Sequence, residues 1–250
     1  MKKVLSTILV LALVLFAGAA FADSAMDNDV LVIGTEGTYP PFEFHDKTGA
    51  LVGYDIDLVN AVAEKMGKEV KWVDMAFDGL IPALLTNKID MVAACMSVTS
   101  ERSKKVNFSE PYIITYSAFV TPSGNDTLNT LEDLKGKKVS VQLGTTEDLY
   151  VSELEGIEVR KFNKLDDAVR EVTLDRVDAA FMDEPVAKDY VGSKQFEGKL
   201  KVAFTVEIEG APKAFALNKN DTQLLEAVNK ALIELKEEGA IEELNEKWEQ

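Results

Sequence analysis

Arg102 closes a segment, Asp90 to Arg102, in which an apolar run gives way to the hydroxyls of Ser97, Thr99 and Ser100. Such a set can recognise an acid, since each hydroxyl donates to one carboxylate oxygen and a planar guanidinium donates to two. Ile89 to Met96 carries no charge apart from Asp90, as expected of a parallel strand covered on both faces. Any of the three hydroxyl residues can cap a helix that starts there. Arg102 then falls in the first helical turn, where the dipole favours anions, so its guanidinium calls for an acid of its own. The alternative is a surface arginine in a local ion pair.

An internal echo supplies the matching negative group. Phe77 to Ala94 aligns without a gap on Leu165 to Met182, each an apolar helix, a basic residue, Ile or Val, Asp, and then an apolar strand. Two lobes built on one plan are implied. The first strand ends at Ala94 and runs on into Cys95, Met96 and Ser97, while the second runs into Asp183, Glu184 and Pro185. If the strand ends face each other across a cleft, Arg102 and Asp183 stand on opposite walls, one matched to a carboxylate and the other to an ammonium. That pair would receive a zwitterion.

The elements that must position these groups are legible in order. Val30 to Ile33 is a strand that opens into Gly34 to Phe44, a loop fixed by two glycines and two prolines. Loops at the carboxyl ends of parallel strands are where open α/β sheets bind ligands, which makes Glu36 and Tyr39 candidate contacts; a packed turn with a solvated Glu36 is the alternative. An aspartate cap is expected before a helix over 56–66 that stops at Gly67. A strand over 70–75 and a helix over 80–86, with Pro82 in its first turn, complete a βαβαβ order. Further on, a short helix over 131–134 and a strand over 138–143 lead into Gly144-Thr145-Thr146 and a helix from about Glu147. A strand–glycine–helix turn presents N–H groups to an anion, or is simply a capped helix. A strand over 199–207, a helix over 224–238 capped by Asp221, and a last helix over 241–248 follow.

Composition narrows the class. Lys2-Lys3, an apolar run to Phe21 and Ala20-Phe21-Ala22 read as a signal peptide cleaved after Ala22, with a retained anchor as the alternative. About 228 residues then remain, and the formal charge goes from −16 to −18 because both lysines leave. Such acidity disfavours nucleic-acid and anionic-membrane partners. One cysteine, Cys95, excludes an internal disulfide and is expected to be structural; one histidine, His45, gives no basis for a His-rich metal site or a Ser-His-Asp triad. No metal, cofactor or catalytic residue is expected.

Gly34-Thr-Glu-Gly-Thr-Tyr-Pro-Pro-Phe-Glu-Phe44, Gly53-Tyr-Asp-Ile-Asp-Leu58, Phe77-Asp-Gly-Leu-Ile-Pro-Ala-Leu84 and Met96-Ser-Val-Thr-Ser-Glu-Arg102, in this order, closely resemble the polar amino-acid-binding proteins of bacterial ABC importers, solute-binding protein family 3. The resemblance spans the mature chain and implies a type II periplasmic fold: two α/β lobes joined by a two-stranded hinge. It places lobe 1 at 27–113 plus 214–250, lobe 2 at 117–209, and the hinge near 114–116 and 210–213. It implies a monomeric periplasmic receptor that closes on a free amino acid and delivers it to a permease in the inner membrane. Arg102, Ser97 and Thr146 would meet the α-carboxylate and Asp183 the α-ammonium. Glu36 would meet a distal cation, between Tyr39 and Phe77, with Glu147 as a second negative charge; this favours arginine, lysine or ornithine. Glutamine is the runner-up, with Gln142 as a donor. Ala94, Cys95 and Met96 complete the expected site, although relatives usually carry glycine or a small hydroxyl residue at Cys95. An enzyme resembling cyclohexadienyl dehydratase is the rival on the same fold.

Overall fold

The structure, a computed structural model, describes residues 24–209 and 212–249. The leader and its cleavage site, and Gly210 and Ala211 of the return crossing, lie outside the described residues.

The chain opens with β1 (Val30–Thr35), then three short strands, β2 (Thr38–Tyr39), β3 (Glu43–His45) and β4 (Leu51–Val52). It continues through α1 (Tyr54–Lys65), β5 (Glu69–Asp74), α2 (Leu80–Leu85), β6 (Met91–Val92), the single turn α3 (Ser100–Ser103), β7 (Asn107–Phe108) and β8 (Ile113–Ile114). The second lobe holds β9 (Ser117–Pro122), β10 (Lys138–Gln142), α4 (Thr146–Glu153), β11 (Glu158–Phe162), α5 (Leu165–Thr173), β12 (Ala179–Asp183), α6 (Glu184–Gly192) and β13 (Leu200–Val206). The return runs through β14 (Pro212–Lys213), β15 (Ala216–Leu217), α7 (Thr222–Glu237) and α8 (Ala240–Trp248).

Two five-stranded sheets result, in the orders β5-β1-β6-β15-β7 and β11-β10-β12-β9-β13. In each, the first three strands are parallel and the other two join antiparallel. The sequence echo is thus an echo of topology, with β6 and β12 in the same central place. Helices cover both by their apolar stripes: Leu165, Ala168, Val169 and Val172 of α5 are buried at helical spacing, as are Leu224, Val228, Leu232 and Leu235 of α7. The lobes are linked where β8 pairs antiparallel with β14.

Four local expectations change. Asp55 does not cap α1. Gly53 takes the cap position at φ 138°, and a Cβ there would overlap the Phe42 carbonyl oxygen, so glycine shapes the entry and Asp55 turns inward. The strand expected over Ile89 to Met96 pairs only at Met91–Val92, because the chain bends beyond it and Cys95 adopts a left-handed φ of 43°. Part of the loop expected after β1 is the small antiparallel sheet β2-β3-β4. The helix expected at 131–134 is one 3-10 turn, Glu132–Leu134.

Candidate functional site

The carboxyl ends of the two sheets face each other, and the two sets of terminal residues meet. Among the three hydroxyl candidates Thr99 caps α3, its Oγ1 accepting from Arg102 N at 3.2 Å. That turn aims the Arg102 side chain into the cleft, where it is only 8% exposed. Its guanidinium donates to the Ser97 carbonyl at 2.8 Å and, across the cleft, to the Gly144 carbonyl at 3.0 Å, with Cζ 5.4 Å from the Phe77 ring centre. Carbonyls and an aromatic face thus hold it, and among the described residues it forms no ion pair. Burial pulls its pKa down while Glu147 and Asp183 pull it back.

On the other wall, Thr145 caps α4 by accepting from Asp148 N at 3.1 Å, which leaves the Thr146 hydroxyl to meet Ser97 Oγ at 3.2 Å. The cap is Thr145, so α4 begins one residue before the sequence indicated. Glu147 is buried and accepts from Ser117 Oγ at 2.7 Å and Thr146 Oγ1 at 3.2 Å; burial, then Asp183, raises its pKa. Glu36 accepts from Thr38 Oγ1 at 2.8 Å and, from the opposite lobe, Gln142 Nε2 at 2.7 Å; burial raises its pKa as well. Asp183 ends β12 and accepts from Tyr39 Oη at 2.8 Å and Thr115 Oγ1 at 2.6 Å.

Asp183 also meets a residue that the sequence reading missed. Lys213, 2% exposed, places Nζ 2.8 Å from Asp183 Oδ1 and 2.9 Å from Oδ2, and donates to Ser97 Oγ at 2.8 Å. Burial opposes its charge, but Asp183, Cys95 and Glu147 outweigh that and raise its pKa. Its position follows from the backbone: Val98 N donates to Pro212 O at 2.9 Å and Ala214 N to Met96 O at 3.1 Å, laying the return strand beside Ser97. A lone lysine in Ala-Pro-Lys-Ala-Phe-Ala-Leu was the available signal, since an unpaired charge does not persist in an apolar run. Glu43, between Phe42 and Phe44, carried the same signal. It lines the cleft, and burial with Asp55 beside it pushes its carboxyl well above the usual range.

Glu36, Tyr39, Phe77, Ala94, Cys95, Ser97, Arg102, Gln142, Thr146, Glu147 and Asp183 therefore line one cavity, together with Glu43 and Thr145. Met96 is the correction: its side chain packs into the first lobe's apolar cluster with Phe77, Leu80 and Val92, because the bend at Cys95 turns it away from the cleft. Cys95 is buried, and burial pushes its thiol well above the ordinary value, which opposes thiolate chemistry. The cavity is about 10 Å³, room for one water molecule and not for an amino acid. A ligand can enter only if the walls separate.

Two α/β lobes of one topology, joined at paired crossings and meeting over a buried arginine and aspartate, define a two-lobed binding protein of the type II periplasmic fold. The family model for bacterial extracellular solute-binding proteins, family 3, matches residues 31–250, and the chain belongs to that family. It is 35% identical over 261 residues to the histidine-binding periplasmic protein of Escherichia coli (strain K12), covering 99% of this chain and 96% of the relative. A solved ancestral arginine-binding protein bound to arginine is 44% identical with a TM-score of 0.85, over 88% of this chain and 98% of that one; a structure of an ancestral arginine-binding protein bound to glutamine gives 45% and 0.84 at the same coverage. An ancestral amino-acid-binding protein, a precursor of cyclohexadienyl dehydratase, matches at 38% identity and a TM-score of 0.81, covering 90% of this chain and 99% of that one.

Proposed function

We propose that this chain is a periplasmic receptor for a free amino acid, exported by a signal peptide cleaved after Ala22, which closes on its ligand and delivers it to an ABC permease as a monomer. The observation that carries this is the placement of Arg102 and Asp183 on opposite walls of one buried cavity. Arg102, with Ser97 and the Thr146 N–H, takes the α-carboxylate, and Asp183 takes the α-ammonium. Binding rather than catalysis is supported by the binding-protein relatives and by the buried, hydrogen-bonded state of Glu36 and Glu147.

The ligand's side chain is cationic, arginine, lysine or ornithine, and reaches Glu36 between Tyr39 and Phe77. An aromatic face attracts such a cation by about 0.5 to 2 kcal/mol. Glutamine is a second reading, favoured by one contact: the protein's own amide, Gln142 Nε2, already donates to Glu36. The lobes span 27–113 with 214–250, and 117–209, and the hinge lies at 114–116 and 210–213, a division supported by the β8–β14 pairing.

Calorimetric competition between arginine, lysine, histidine and glutamine decides the ligand, and Glu36→Gln should abolish the preference for cations. Arg102→Ala should weaken binding by roughly a hundred- to several-thousandfold, the equivalent of about 3 to 5 kcal/mol for breaking a buried pair. Wild-type affinity in that variant would remove the carboxylate assignment.

A further inference from the structure

Both oxygens of the Asp183 carboxylate have partners before any ligand reaches them. A carboxylate accepts about four hydrogen bonds. Oδ1 accepts from Thr115 Oγ1 at 2.6 Å and lies 2.8 Å from Lys213 Nζ in the ion pair; Oδ2 accepts from Tyr39 Oη at 2.8 Å and Lys213 Nζ at 2.9 Å, with the Cys95 thiol at 3.9 Å. The Lys213 ammonium also donates to Ser97 Oγ at 2.8 Å. The hydroxyl and thiol donors to Asp183 are neutral, and the remaining contact is a cation. A second ammonium brought to these oxygens would lie against Lys213 in a buried site, where like charges repel strongly. Lys213 is therefore the donor that an incoming α-ammonium has to displace.

The fold permits that exchange. Lys213 lies on β14 and its backbone is tied to the first lobe at Ser97 and Tyr112, the latter through Tyr112 N donating to Lys213 O at 3.0 Å. Asp183 ends a strand of the second lobe. The ion pair joins the return crossing to the second lobe, and opening of the cleft is the motion that can part its two groups.

We propose that Lys213 is a resident competitor for the ligand's α-ammonium, occupying its place between Ser97 and Asp183, and that it sets how strongly the site selects for an α-amino group. This rests on the amino-acid reading above. A ligand with an α-ammonium binds only the fraction of molecules in which Lys213 has left Asp183, which lowers its apparent affinity by that fraction. A ligand without one leaves the Lys213–Asp183 pair in place and meets no such competition.

The test compares wild type with Lys213→Met, which keeps most of the apolar stem of the side chain, one atom shorter, without its charge. Two pairs of probes are titrated by calorimetry: arginine with guanidinovalerate, and glutamine with glutaramate, each acid being the des-amino analogue of its partner. In Lys213→Met the amino acid should bind about tenfold tighter or more, as follows if Lys213 vacates Asp183 in a tenth of molecules or fewer. The des-amino analogue should bind equally or more weakly, so the ratio of the two affinities rises by at least that factor. Lys213→Gln serves the same comparison if the methionine variant does not fold. A ratio that stays constant or falls, with amino-acid binding retained in wild type, overturns this inference and leaves the receptor reading standing. Failure of every amino acid to bind wild type and variant alike overturns both.

Discussion

At the residue scale, burial raises the pKa of several acids in and beside the cleft. Asp55 shows the consequence for stability. Its carboxylate accepts from Cys95 N at 2.8 Å and Tyr112 Oη at 2.7 Å, yet burial outweighs both bonds and pushes its pKa from 3.8 to about 7. Between those two values the unfolded chain has lost the proton and the folded chain keeps it. The contribution of Asp55 to stability therefore falls as pH rises through that window, by up to about 1.4 kcal/mol per pH unit, and levels off above pH 7. Asparagine keeps the acceptor and carries no titrating proton. Urea unfolding of Asp55→Asn between pH 4 and 7 should give a stability slope more positive than that of wild type by about one proton. Parallel slopes would show that Asp55 is ionised in the fold.

At the element scale, the geometry of the site depends on a few turns that must be bent in one way. Gly53 opens α1 at φ 138°, and the helix carries Asp55 to the Cys95 turn. Gly53→Ala should destabilise by more than about 2 kcal/mol, because the methyl meets backbone that cannot yield. Gly49→Ala is the control: φ is 85° but the space around it is open, so only the left-handed penalty of about 1 to 2 kcal/mol applies. Equal melting shifts for the two variants would discount the clash. Cys95 bears the same backbone penalty without being glycine, and its thiol lies 3.9 Å from Asp183 Oδ2. The bend it makes ends the β6 pairing, sends Met96 into the core and leaves Ser97 at the cleft.

At the scale of the whole molecule, direct bonds cross the cleft. Gln142 to Glu36, Arg102 to the Gly144 carbonyl, Tyr39 to Asp183 and Tyr190 Oη to Thr38 O all lie within 3.0 Å. These contacts leave too little space for an amino acid, so entry needs a hinge, and two paired crossings permit a swing while opposing other motions. Small-angle scattering should show compaction when a saturating amino acid is added; superimposable curves would exclude hinge closure. The sequence by itself determined the two lobes, since hydrophobic periodicity and a gap-free repeat are local signals that topology then obeys. It indicated also that Arg102, in the turn after one strand, and Asp183, at the end of its counterpart, would stand on opposite walls if the strand ends met across a cleft. Only the tertiary structure decided the partners those charges take. Spacing along one helix says nothing of a turn 40 residues away, so the bond from Cys95 N to Asp55 is invisible in it, and a bend at Cys95 reverses the face that follows, so Met96 leaves the cleft. Lys213 is 30 residues from Asp183 and 116 from Ser97, and which acids and hydroxyls a buried ammonium meets is fixed by how the return strand docks beside Ser97.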